Sequence, residues 1–262
     1  MDVSEEFREE VALGGAAALD RLALLIAAQG AGPLDVSGEQ ARLDELATDF
    51  GGGTAAELMG WLGIRGFRGN ADSYYDPDNS FLNRVLDRGL GIPISLSVLA
   101  IEVGRRCGIH LVGIGLPGEF IVAERDEPDR FHNPFRHQSM SPAQVTELLR
   151  RFAGPAARLT PDMVRPVGAL SIAARMLANL AHIYAHTARP ADLEWVLRLQ
   201  TSLPGAAPAV RRQLVATLAA LGRFWEASDV LAALVADPLA PATPDEREAD
   251  ETLLTQLRGN LN

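Results

Sequence analysis

The sequence predicts an α+β protein with a helical N-terminal part, a mixed core and an all-α C-terminal region. Three observations predict it. Residues 93–107 are apolar nearly all round, as expected of a helix buried at a domain centre. Directly after it the hydrophobic pattern shortens to 109-IHLVGIGLP-117 and 119-EFIVAER-125, β-branched runs bounded by glycine or proline. From about residue 166 onward, helix-forming segments recur, broken by proline or glycine. The expected organisation is a lead-in plus core over 1–165 and a helical region over 166–262.

Composition narrows the partners. The net charge is −10 over 262 residues, which argues against nucleic acid or an anionic membrane, since both demand clustered positive charge. Cys107 is the single cysteine, so an intrachain disulfide and a cysteine-rich metal site are excluded. The start, MDVSEEFREE, lacks the basic-then-apolar layout of a signal peptide. Apolar runs fall short of the roughly 18 residues that a membrane span needs. A soluble, cytoplasmic protein without cofactor or metal is the expectation.

The elements follow in order. The Ala- and Leu-rich 15-GAAALDRLALL-25 opens the helical part. Ser37 with Gln40, and Thr54 with Glu57, have capping-box spacing and predict helices near 38–49 and 55–63. Gly51 to Gly53 connect them. Asp76-Pro77 marks a turn, and Asp78 or Asn79 is placed to cap a short helix carrying Phe81, Leu82, Val85 and Leu86. Gly89 and Gly91 end it. Pro93 suits the first turn of the central helix, where its fixed φ is already helical and its missing N–H is not needed; Gly108 ends that helix. A third strand is expected near 130–135, and Ser141, Pro142 and Gln144 start a helix over 142–153. Farther on, 174–204 reads as two helices broken at Arg189-Pro190, and 211–238 as two broken at Gly222. That repeat length, with Trp225, Ala227 and a closing proline, reads as tetratricopeptide-like; an ordinary helical bundle is the alternative.

The stretch 74-YYDPDNSFLNRVLDRGLGIPISLSVLAIEVGRRCGIHLVGIGLPGEFIV-122, with 131-FHNPF-135 after it, resembles bacterial transglutaminase-like proteins of the SirB type. The likeness includes 55-AAELMGWLGIRGFRGN-70 and covers most of the chain. The resemblance implies a papain-like core, in which a Cys–His–Asp triad performs acyl transfer or amide hydrolysis, and a tetratricopeptide-like tail. Landmarks Gly91-Ile92 and Gly108-Ile109 then put the nucleophile position on Pro93, the histidine position on Glu119 within 117-PGEFIV-122, and the aspartate position on Asn133 within 132-HNPF-135. Pro93 looks shared by the family, while Glu119 and Asn133 look like departures in this chain. Proline has no nucleophile, glutamate cannot imitate an imidazole, and asparagine supplies no charge to hold an imidazolium.

The expectation is therefore a non-catalytic protein-binding or regulatory module, meeting an unidentified protein or peptide through its helical tail. Asn79, Asn83, Ser97 and His132 are its candidate binding residues. The alternative is a serine hydrolase or acyltransferase using Ser95 with His110, His132, His137 or Glu119. Against it stands the ordinary use of a first-turn hydroxyl, which bonds a free backbone group. A metal on His110, Glu119, His132 and His137 lacks any short characteristic spacing; His182 and His186, one helical turn apart, have a spacing that permits one, but a repeat helix is the simpler account. Cys107 reads as a structural thiol, and Tyr74, Tyr75 and Trp61 as core or pocket wall.

Overall fold

A computed structural model describes residues 2–238 and 240–259. The chain divides into two compact units, Met1–Met176 and Leu177–Asn262.

The first unit begins with α1 (Val3–Ala12), α2 (Leu19–Ala31), α3 (Val36–Phe50) and α4 (Ala55–Ile64). Thr54 and Glu57 form the expected capping box at α4. Ser37 and Gln40 do not form theirs, because α3 starts two residues earlier, with Asp35 at its N-cap. Gln40 instead donates to the buried Asp20 carboxylate, where a hydrogen bond to a charge is stronger than one to an exposed N–H.

A two-residue strand, β1 (Arg68–Gly69), leads through a 3-10 turn at Pro77–Asn79 into α5 (Leu82–Arg88) and β2 (Leu90–Gly91). Asp76 caps the turn. The N-cap of α5 is Phe81, without a side-chain bond, so neither Asp78 nor Asn79 caps it. Gly89, at φ 68°, ends α5, as only glycine does without strain. Strands β1 and β2 pair in parallel through Arg68↔Leu90 and Gly69↔Gly91.

The central helix α6 (Pro93–Arg106) is buried from Pro93 through Gly104. It is followed by β3 (Leu111–Leu116), β4 (Glu119–Glu124), β5 (Phe131–Asn133), β6 (Gln138–Met140), α7 (Pro142–Ala153), a 3-10 turn at Pro161–Val164 and β7 (Pro166–Val167). These strands form one antiparallel sheet in the order β6-β5-β4-β3-β7. The boundary expected after 165 falls ahead of β7, and the first unit runs on to Met176. On one face of the sheet, Ile114, Leu116, Ile121, Ala123 and Phe131 pack with Val145 and Leu148 of α7. On the other, Leu111 reaches Gly104 of α6, and Gly113 meets Ile172.

α8 (Ala169–His186) ends in the second unit, which continues with α9 (Pro190–Thr201), α10 (Pro208–Ala220), α11 (Phe224–Ala236) and α12 (Pro244–Gly259). The breaks fall at Arg189-Pro190 and Gly222, where expected. Leu193, Val196, Leu214, Leu218, Ala227 and Leu231 are buried. The Trp225 side chain stays 65% exposed. Among the described residues, no helix is long and apolar enough to cross a membrane.

Candidate functional site

The site is built around the start of α6. Ile92 is extended (φ −99°, ψ 168°) and Pro93 takes the first helical position. Ser95, two residues on, is fully buried. Its Oγ donates to the Asn79 carbonyl at 2.6 Å and accepts from the Ile92 N–H at 3.1 Å. The hydroxyl thus closes half of a capping box, satisfying a donor that the helix start leaves open. Gly91 is required beside it: a Cβ there would lie 2.8 Å from Ser95 Oγ and 2.9 Å from Leu96 Cγ.

Asn79 extends this buried polar strip. Its Nδ2 donates to Ser73 O at 2.7 Å and Tyr74 O at 3.3 Å, and its Oδ1 accepts from Asn70 Nδ2 at 3.0 Å. Asn70 N–H in turn donates to Gly91 O at 3.0 Å. The Asn79 carboxamide is therefore fully used in pinning the 70–80 loop to the start of α6. Asn83 Oδ1, Ser80 Oγ and Ser97 Oγ are buried and without a partner among the described residues.

Glu119 and Asn133 come from neighbouring strands. The register Val122↔His132 and Ala123↔Phe131 sets Asn133 opposite Ile121, and Glu119 lies two residues from Ile121. Side chains alternate along a strand, so Glu119 and Asn133 share a face. His132 points to the other. Its Nε2 lies 3.0 Å from Glu124 Oε1 and its Nδ1 3.0 Å from Ser139 Oγ, so both nitrogens are engaged. His137 Nε2 lies 2.5 Å from Phe67 O. The exposed His110 ring is 3.9 Å from Asp126. Ser95 Oγ has only backbone partners in its hydrogen bonds.

Two links tie these strands to the α6 start. Phe135, just past Asn133, packs on Gly69, where a Cβ would sit 2.3 Å from its ring; Gly69 pairs with Gly91. The second link is Tyr74, whose carbonyl holds Asn79. Desolvation raises its phenol pKa, and the nearby Glu119 carboxylate raises it further. Tyr74 and Tyr75 are exposed, which removes the core alternative of the two expected, core or pocket wall; they stack edge to face at 5.4 Å.

Glu119 is 7% exposed. Burial pushes its carboxyl above the ordinary glutamate range, against the Phe120 N–H and the nearby Arg136 and Arg175 guanidiniums. Arg175 donates to Leu116 O at 2.9 Å and Glu119 O at 3.2 Å and lies 5.3 Å from the Phe120 ring centroid. Burial lowers its own pKa, opposed by Glu119. Sequence reasoning missed Arg136 and Arg175. The available signal was an arginine inside the apolar 172-IAARML-177. Among the described residues, no group of three or more His, Cys, Asp or Glu is gathered as metal ligands would be.

Glu119 and Asn133 thus lie on the sheet face that α7 covers, away from the α6 side. A small core packing one buried helix against an antiparallel sheet is the arrangement of a transglutaminase-like domain. A profile described as the transglutaminase-like superfamily matches residues 18–178, and the chain belongs to that superfamily. Its curated relatives include a UPF0162 protein of Xylella fastidiosa, 40% identical over 129 residues, covering 47% of this chain and 46% of that protein. A UPF0162 protein of Pseudomonas aeruginosa is 29% identical over 182 residues, covering 66% and 67%. F-box only protein 21 of Mus musculus is 39% identical over 56 residues, covering 21% and 9%. The chain thus spans less than half the length of the Xylella relative in the match. No solved structure matches it.

Proposed function

We propose that this is a SirB-type transglutaminase-like protein that performs no acyl transfer and serves as a protein-binding or regulatory module of the cytoplasm. One observation carries the reading: the helix start that the family resemblance assigns to the nucleophile holds Pro93. The Glu119 and Asn133 positions add no imidazole and no orienting carboxylate, and losing triad members costs several orders of magnitude in rate. A serine enzyme on Ser95 loses ground because that hydroxyl is committed to Asn79 O and the Ile92 N–H. The partner is an unidentified protein or peptide, held by a tetratricopeptide-like surface in the helices after 165.

The test has two arms. Full-length protein is assayed for amide hydrolysis and amine incorporation with glutamine-containing peptides, and probed with a serine-directed fluorophosphonate. Neither turnover nor Ser95 labelling is expected, and turnover abolished by Ser95→Ala would overturn the reading. Affinity capture with the full chain and with a chain ending at His186, which keeps β7 and the whole of α8, should lose its specific partner in the shorter one.

A further inference from the structure

An open pocket of about 170 Å³ lies beside the sheet in the first unit, lined by the buried Asn133 and Leu148 and the exposed Arg136, Gln144, Glu147 and Arg151 among others. Its position follows from the register. Phe131 and Asn133 are two residues apart and share a face, and Phe131 packs with Leu148 of α7. The Asn133 side chain therefore emerges beneath α7, where the pocket is.

The chemistry of the walls is one-sided. Asn133 is fully buried, and its Oδ1 accepts from the Arg136 N–H at 3.2 Å. That bond fixes the orientation of the carboxamide and leaves Nδ2 as a buried donor with no partner among the described residues. Gln144 is oriented the same way: its Oε1 accepts from the Ser141 N–H at 2.8 Å, so its NH₂ group is a second donor. Arg136 and Arg151 add guanidiniums, and among the described residues no ion pair within 4 Å joins either to a carboxylate. The one acidic wall residue, Glu147, lies 3.5 Å from Arg150. A buried donor left unmade is costly, and native proteins seldom keep one without a use.

We propose that this pocket is a binding site for a small carboxylate, held by Asn133 Nδ2 and clamped by Arg136 and Arg151. Guanidinium groups match carboxylate oxygens in bidentate geometry. Because liquid water occupies about 30 Å³ per molecule, the space holds roughly six waters' worth of ligand. That admits a free small acid, or the terminal carboxylate of a peptide with its last residue. The site does not depend on whether the α6 helix start is catalytic.

Isothermal titration of the full-length protein tests it, with succinate, inorganic phosphate, and a tripeptide ending either in a carboxylate or in an amide, all at matched ionic strength. Saturable binding of a carboxylate probe is expected, weakened about tenfold or more by Arg151→Ala, since a charge-assisted hydrogen bond is lost. Asn133→Asp should abolish it, by turning the donor into a like charge. Succinate binding alone identifies a free acid as the ligand source. Binding of the acid peptide but not its amide identifies a chain terminus. Phosphate binding preferred over both carboxylates overturns the chemistry proposed. Failure of every probe to bind at about 10 mM, or binding unchanged in both Arg136→Ala and Arg151→Ala, overturns the site. Circular dichroism of each variant separates loss of binding from loss of fold.

Discussion

Replacing Arg106 with Met should destabilise the first unit by about 2–3 kcal/mol, short of the full cost of stranding a buried charge, because Arg105 stays 2.9 Å from Glu102 and 3.6 Å from Asp20. Arg106 sits in the last turn of α6, its side chain 11% exposed. It reaches Asp20 of α2 at 2.6 Å and Glu102 at 2.7 Å, both 3% exposed, and Asp44 of α3 at 2.5 Å, which is 67% exposed. Burial alone would raise the Asp20 pKa, but the Arg106 and Gln40 donors carry it below the ordinary aspartate range. At Glu102 burial wins, and with Asp20 beside it the pKa is raised despite Arg105 and Arg106. Methionine keeps most of the arginine stem's volume, so the loss measures carboxylates left with the more exposed Arg105 alone and not a void. The assay is urea unfolding followed by Trp61 emission, in a background where Trp195 and Trp225 are phenylalanine. Asp44→Asn, removing only the exposed partner, should cost under about 1 kcal/mol. The double variant with Asp20→Asn should recover part of the loss, and the deficit should shrink as pH falls and the stranded acids take up protons. An Arg106→Met protein within about 1 kcal/mol of the parent would refute the claim that a paired buried charge joins these helices.

Glu119 gives a pH dependence. Its folded pKa lies above the ordinary value, so its contribution is fully present below that ordinary value and is lost as pH rises through the folded one. Glu119→Gln should therefore gain in melting temperature over the parent as pH rises from the acid side; an equal difference at every pH would count against a buried, raised carboxyl. Gly89→Ala should lose about 1–3 kcal/mol, because a Cβ would lie 2.6 Å from Gly66 O and φ is positive; thermal melting checks it. Thr54→Ala removes the capping box of α4 and should cost about 0.5–2 kcal/mol in the same measurement. Ser95→Ala leaves Asn79 O and the Ile92 N–H with only their mutual 3.4 Å bond and should cost about 0.5–1.5 kcal/mol, with no change in any measured turnover.

The sequence by itself determined the α+β class, the central helix from Pro93, the two long strands and the helix breaks at Pro190 and Gly222. Each of these is written in local period or in a residue whose backbone freedom is unusual, so nearby residues suffice to read it. The pairing of β1 with β2, the joining of β6 and β7 to the sheet, and the start of α3 at Val36 lay beyond it. Strands of two or three residues carry no period, and Gln40 left its cap for a carboxylate twenty positions away in the chain. The candidate site divides the same way. Residue types alone reveal that Pro93 has no nucleophile to offer. That Ser95 is locked to Asn79, that His132 faces away from Asn133, and that Asn133 keeps a buried donor free beside two arginines was decided by tertiary structure alone. Hydrogen bonds and burial depend on which distant segments meet, and no local pattern encodes that meeting.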